Sequence, residues 1–180
     1  RALLRLVDDA PPRPAPRRRG RARQVPRAVR RPVGPDDEGD GAGTVARHVP
    51  PTDEPLRPAR AVLYLHGWSD YFFQTELAQT WHGLGAAFYA VDLRKYGRSL
   101  RPHQTPGYAD HLEEYDADIA AALDVVREDL GAHVASMLMG HSTGGLVAAL
   151  WAHRHPGVVR GLVLNSPWLE FQTREVGRLL

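Results

Sequence analysis

Gly140-His141-Ser142-Thr143-Gly144 has the spacing G-x-S-x-G, which can present a serine hydroxyl as a nucleophile. Such a serine stands where the chain reverses sharply, in a strained conformation that a bulky neighbour would block. Glycine at 140 and 144 permits that turn. Acyl transfer also needs donors for a developing oxyanion, usually two backbone N–H groups aimed at the place where charge appears. Thr143, the residue after the serine, supplies one. His66-Gly67-Trp68 is suited to supply the other, because Gly67 lets the backbone approach and orients the N–H of Trp68. His66 taken alone reads equally as a satisfied histidine at a strand end.

The spacing alone is weak, since it arises by chance in roughly one chain in twenty of this length. Gly140 to Gly145 also fits a tight strand-to-helix turn or a phosphate cradle at a helix N-terminus. The Gly and Lys-Ser/Thr of a P-loop are absent, however, and so is a G-x-G-x-x-G fingerprint. The flanking elements decide. A short apolar, β-prone run over 61–65 ends at His66-Gly67. Leu77, Trp81 and Leu84 mark a helix over about 73–83, and 86–91 is a second strand, ending at Asp92. Leu112, Tyr115, Ile119, Leu123, Val126 and Leu130 lie on one face of a helix over 109–130, which Gly131 stops. Residues 135–139 make a strand, 144–153 a helix closed by His155-Pro156, and 159–164 one more strand. This alternation predicts a mostly parallel sheet with helices on both faces. Functional groups of such sheets gather at the carboxyl ends of the strands, where His66-Gly67-Trp68, Asp92, the Ser142 turn and Asn165-Ser166 fall.

The N-terminal part is different in kind. Residues 1–43 are rich in Arg and Pro and predict a poorly ordered segment, with VGPDDEGDGAG as a turn-rich loop and only 44–49 resembling a strand. A globular unit over 44–180 follows. The net charge is only +2, and Lys95 is the sole lysine among 23 basic residues. The Arg block could attract nucleic acid or an anionic membrane surface, but its interleaved Pro and lack of aromatics favour a solvated tail. No nucleic-acid partner is expected. The absence of cysteine excludes disulfides, thiolate metal sites and a cysteine nucleophile. No metal or organic cofactor is implied. No run approaches the eighteen or so apolar residues of a membrane span, which predicts a soluble, cytoplasmic protein.

The segments VLYLHGWSD, AVDLRKYGRS and LMGHSTGG together resemble the α/β-hydrolase superfamily, in particular its serine aminopeptidase S33, monoacylglycerol lipase and lysophospholipase-like branch, over residues 59–169. The resemblance implies an α/β-hydrolase fold and hydrolysis of lysophospholipid or monoacylglycerol-like esters through an acyl-enzyme. It implies Ser142 as nucleophile, Trp68 and Thr143 N–H as the oxyanion hole, and His66, Gly67, Gly140, His141 and Gly144 as support. Asp92-Leu93-Arg94 and Gly97-x-Ser99 resemble the family's D-x-R-G-x-G-x-S loop, with Lys95 where glycine is commoner. That loop is usually structural, so Asp92 is not assigned as the triad acid.

In this fold the acid and histidine follow the serine in the chain. After Ser142 there is no aspartate; the acids are Glu170 and Glu175, and the histidines are His153 and His155. At 1.5 Å per helical residue those histidines should lie roughly 15 Å or more from the serine. The expectation is therefore an N-terminal piece lacking the later strands and the cap, nearly inactive by itself. A non-catalytic binding module of the same fold is the alternative.

Overall fold

Three near-continuous apolar runs set the centre of the fold, because a strand covered on both faces has little room for polar side chains. In the computed structural model, which describes residues 27–49 and 58–169, they form β3 (Arg60–Leu65), β4 (Ala86–Asp92) and β5 (Ala135–His141). With β1 (Arg27–Asp36), β2 (Gly39–Arg47) and β6 (Leu162–Asn165) they make a six-stranded sheet of order β1-β2-β4-β3-β5-β6. β4, β3, β5 and β6 run parallel, while β2 is antiparallel to both β1 and β4.

The period of two along each strand sorts the core into two layers. Leu63, Leu65, Tyr89 and Val91 pack with α2 (Tyr115–Leu130) and α3 (Thr143–Arg154) through Ile119, Leu123, Val147 and Trp151. Val62, Tyr64, Phe88 and Ala90 face the other way, against Phe72 and Ala78 on the side of α1 (Thr75–Gly83). The mostly parallel sheet with helices on both faces is thus the observed architecture. The chain leaves β3 for β4 on one side and returns to β5 on the other. That reversal lies at the carboxyl ends of β3 and β5, the kind of place where open α/β sheets hold their ligands.

The N-terminal expectation needs correction. Residues 27–47, read as loop up to Gly43, form the β1–β2 hairpin, and the boundary expected between residues 43 and 44 falls inside β2. Pro32 and Pro35 are tolerated because β1 is an edge strand, with a shift of register between them. Gly41 is needed for close approach, since a Cβ there would stand 2.8 Å from the Gly34 carbonyl oxygen. Val33, Ala42, Val45 and Ala46 are buried, with Val45 in the layer of α2 and α3 and Ala46 in the layer of α1. Residues 1–26 of the expected poorly ordered segment lie outside the described residues. The long helix is also shorter than 109–130: a 3-10 turn at Leu112–Glu114 precedes α2, and Glu114 accepts the backbone N–H groups of Asp110 and His111. β6 begins at Leu162 rather than at 159. Among the described residues no helix is long and apolar enough to cross a membrane.

One charged residue interrupts the buried stripe of α2. Asp118 accepts the backbone N–H of Arg94 at 2.6 Å and its Nε at 2.7 Å, which clamps α2 to the loop after β4. Arg94 also donates to the Val33 carbonyl at 2.8 Å, extending the clamp to β1. Both side chains are buried, so removing Asp118 leaves the Arg94 guanidinium with only the Asp36 carboxylate, 3.8 Å away, as counter-charge. Asp118→Ala should lower the unfolding free energy by about 3 kcal/mol in urea denaturation, whereas a loss under about 1 kcal/mol would contradict the clamp.

Burial pushes the Asp118 carboxyl up to about 6, against the attraction of Arg94. An aspartate in the unfolded chain ionises near pH ~3.9. Between about pH 4 and 6 the native state therefore holds a proton that the unfolded chain has lost, and this group makes stability fall as pH rises through that window. Asp118→Asn should flatten the decline, measured as urea midpoints across those pH values. An unchanged slope would show that Asp118 does not titrate there.

Candidate active site

The end of β5 turns into α3 through the serine motif, and Ser142 takes φ 52° and ψ −119°. A positive φ on a non-glycine residue stores strain that the surroundings must hold in place. Four backbone hydrogen bonds do so. The Ser142 N–H donates to the Asn165 carbonyl at the end of β6, and the Ser142 carbonyl accepts from Gly145, Leu146 and Trp168. The neighbouring glycines are obligatory: a Cβ on Gly140 would stand 2.4 Å from the Gly144 carbonyl oxygen, and one on Gly144 would stand 2.3 Å from that of His66. Pro167 packs against Gly145 in the same way, at 2.8 Å from a Cβ placed there. Thr143 opens α3, so its N–H belongs to the unpaired first turn of a helix, on the positive side of the dipole. Among the described residues the Ser142 hydroxyl makes no hydrogen bond.

β3 ends directly beside this turn. A Cβ on Gly67 would lie 3.3 Å from Ser142 Cβ and 3.4 Å from the His141 ring, so the His66-Gly67-Trp68 backbone and the serine are in van der Waals reach. The structure thus brings together His66, Gly67, Gly140, His141, Ser142, Thr143 and Gly144. Trp68 follows with an exposed side chain whose ring lies 6.0 Å from Tyr96, and Ser69 turns the loop with φ 52°.

The histidines at this edge are occupied. His66 is buried, with Nδ1 2.8 Å from the Gly67 carbonyl, while Nε2 accepts the Leu93 N–H at 3.1 Å. Those partners select the neutral tautomer protonated at Nδ1, and burial lowers its pKa further. His66 is therefore a satisfied strand-end histidine that ties β3 to the loop after β4. His141 Nδ1 lies 3.2 Å from the Asn165 carbonyl and joins β5 to β6. His155 stacks on Trp151 at the far end of α3, with Nδ1 2.9 Å from the Trp151 carbonyl. His153 lies on that same last turn. Glu170 and Glu175 fall outside the described residues.

Asp92 is likewise consumed. Its carboxylate accepts from the backbone N–H groups of Phe72 and Arg98 and from the Arg98 guanidinium, all at 2.8–3.1 Å. Ser99 Oγ donates to the Asp92 carbonyl at 2.6 Å. Asp92, Arg98 and Ser99 hold the loop after β4 against the loop after β3, as a structural motif does. Two features escaped sequence reasoning. One is the Ser166-Pro167-Trp168 segment that braces the serine turn, whose only signal was a proline just beyond a strand. The other is Asp118, legible as a carboxylate three residues from Tyr115 and one from Ile119 on an apolar helix face. An open cavity of about 230 Å³ lies beside the site, lined by Ser69, Tyr71, Tyr96, Gly97 and Leu100 among others; Ser142 does not line it. Among the described residues no group of three or more His, Asp or Glu is placed to hold a metal ion.

Known proteins resemble this chain in sequence and fold. The family model described as "Serine aminopeptidase, S33" matches residues 57–180. Phospholipase YtpA of Bacillus subtilis is 32% identical over 122 residues, which cover 66% of this chain and 44% of that protein. Lysophospholipase L2 of Escherichia coli is 31% identical over 99 residues, or 54% of this chain and 29% of that protein. A soluble variant of monoglyceride lipase from Saccharomyces cerevisiae superposes with a TM-score of 0.66 at 19% identity, over 86% of this chain and 49% of that one, a likeness of fold. The chain spans less than half the length of these relatives. With an S33 model matched along more than half of its residues and an α/β-hydrolase sheet around the serine turn, the chain belongs to the serine aminopeptidase S33 family of α/β-hydrolases.

Proposed function

We propose that Ser142 is the nucleophile of an ester hydrolase whose substrates are lipid-like esters, of the lysophospholipid or monoacylglycerol kind. The observation that carries this reading is the conformation of Ser142: a strained, positive-φ residue with an unengaged hydroxyl, between a parallel strand and a helix N-terminus. The names of the relatives, a phospholipase and a lysophospholipase, support the substrate class. In the reaction Ser142 Oγ bonds to the ester carbonyl carbon and gives up its proton to a base. The carbonyl oxygen becomes an oxyanion facing the N–H groups of Thr143 and Trp68, and the C–O bond to the alcohol breaks as that oxygen takes a proton. Water then repeats the sequence on the acyl-serine, releasing the carboxylic acid. Neither His66 nor His155 serves as the base, because both engage backbone groups elsewhere.

A second reading, a non-catalytic binding module of the same fold, draws on the lack of any histidine hydrogen-bonded to Ser142 among the described residues. Labelling with a fluorophosphonate separates the two. In that reaction Ser142 Oγ bonds to phosphorus, the P–F bond breaks and fluoride leaves. Protein from the complete reading frame that encodes this chain should take up one label. Ser142→Ala should take up none and lose ester hydrolysis by on the order of a million-fold. An unlabelled wild type favours the binding module, and a labelled Ser142→Ala places the nucleophile elsewhere.

A further inference from the structure

We infer that Lys95, with the carboxylates at the tip of the β1–β2 hairpin, is a positioning residue that sets the loop carrying the Trp68 N–H; this rests on the reading of Ser142 above. Lys95 is the chain's only lysine, and it occupies a place where a small residue would be easier. Its φ is 61°, in the left-handed region that favours glycine, and its side chain is completely buried. A buried ammonium in a strained backbone persists only when its partners hold it. Nζ lies 3.1 Å from Glu38, 3.3 Å from Asp36 and 3.6 Å from Asp37, with the Tyr108 ring 5.3 Å away.

The hairpin tip grips the far stem of the same loop as well. Glu38 accepts the Thr105 hydroxyl at 2.7 Å and the Thr105 N–H at 3.0 Å, while the Gly107 N–H donates to the Lys95 carbonyl at 2.9 Å. Arg30 of β1 donates to the Arg98 carbonyl at 2.6 Å. Between these fixed points stands Tyr96, whose ring contacts His66 at 4.8 Å and Trp68 at 6.0 Å. Tyr96 is therefore the link that reaches Trp68 itself, beside the bonds that Arg98 makes to Asp92 and to the Phe72 carbonyl. Releasing Lys95 frees Tyr96 to shift and lets the Trp68 N–H turn away from the oxyanion. A donor displaced by a fraction of an ångström loses part of its stabilisation of the transition state and little of substrate binding.

Two substitutions separate the latch from the backbone strain. Lys95→Met removes the ion pairs and keeps the strained φ, whereas Lys95→Gly removes both. The experiment is saturation kinetics of fluorophosphonate labelling on protein from the complete reading frame. Both variants should label about tenfold more slowly at saturating probe, with the half-saturating concentration within about twofold of wild type and labelling reaching the same final stoichiometry. Wild-type maximal rates in either variant would overturn the proposal. So would a reduced final stoichiometry at an unchanged rate, which marks a merely structural role. A wild type that takes up no label would instead remove the nucleophile assignment, and the catalytic meaning of the latch with it.

Discussion

Backbone crowding where β5 enters α3 governs the whole carboxyl edge of the sheet. Gly140, Gly144 and Gly145 allow the strand end, the helix start and the end of β3 to approach within distances that a single Cβ would forbid. This contact fixes the Ser142 conformation, and it places the Gly67 backbone against the serine rather than a side chain's width away. The first turn of α3 and the loop after β3 are consequently held to one another by sterics, which do not relax with solvent or salt. The two apolar layers beneath act as the anvil: β3 is buried on both sides, and β5 is buried from Leu138 to Gly140, the stretch that enters the turn.

Around that contact, polar residues at the strand ends are spent on architecture. His66 and Asp92 have the types that chemistry uses and the positions where it occurs, yet their hydrogen-bonding capacity goes to backbone N–H groups, one backbone carbonyl and one guanidinium. They join the loops after β3 and β4 into a single rim. The buried charges further out, Arg94 with Asp118 and Lys95 with Asp36 and Glu38, continue the rim to the antiparallel hairpin. Such pairs add little net stability against apolar replacements, and their value lies in the geometry they impose.

Much of this was legible in the chain. The runs at 61–65, 86–91 and 135–139 announce strands because a doubly covered strand must be apolar throughout, and the G-x-S-x-G spacing announces the turn because no bulkier residues fit it. The β1–β2 hairpin was not legible. Pro32, Gly34, Pro35 and the acidic run Asp36-Asp37-Glu38 read as breakers, and only tertiary partners make them a strand pair: α2 beneath and Lys95 across the tip. Lys95 itself carried a local signal, as a long side chain at a position where the related loop prefers glycine. Its ion pairs span nearly sixty residues of sequence and leave no periodic trace.

The central claim is that Ser142 attacks while Thr143 and Trp68 receive the oxyanion. The most direct measurement is a crystal structure of the phosphonylated protein from the complete reading frame. Phosphorus should be bonded to Ser142 Oγ, with the phosphonyl oxygen about 2.7–3.1 Å from both the Thr143 and the Trp68 backbone nitrogens. A phosphonyl oxygen turned to solvent, or phosphorus on another residue, would contradict it.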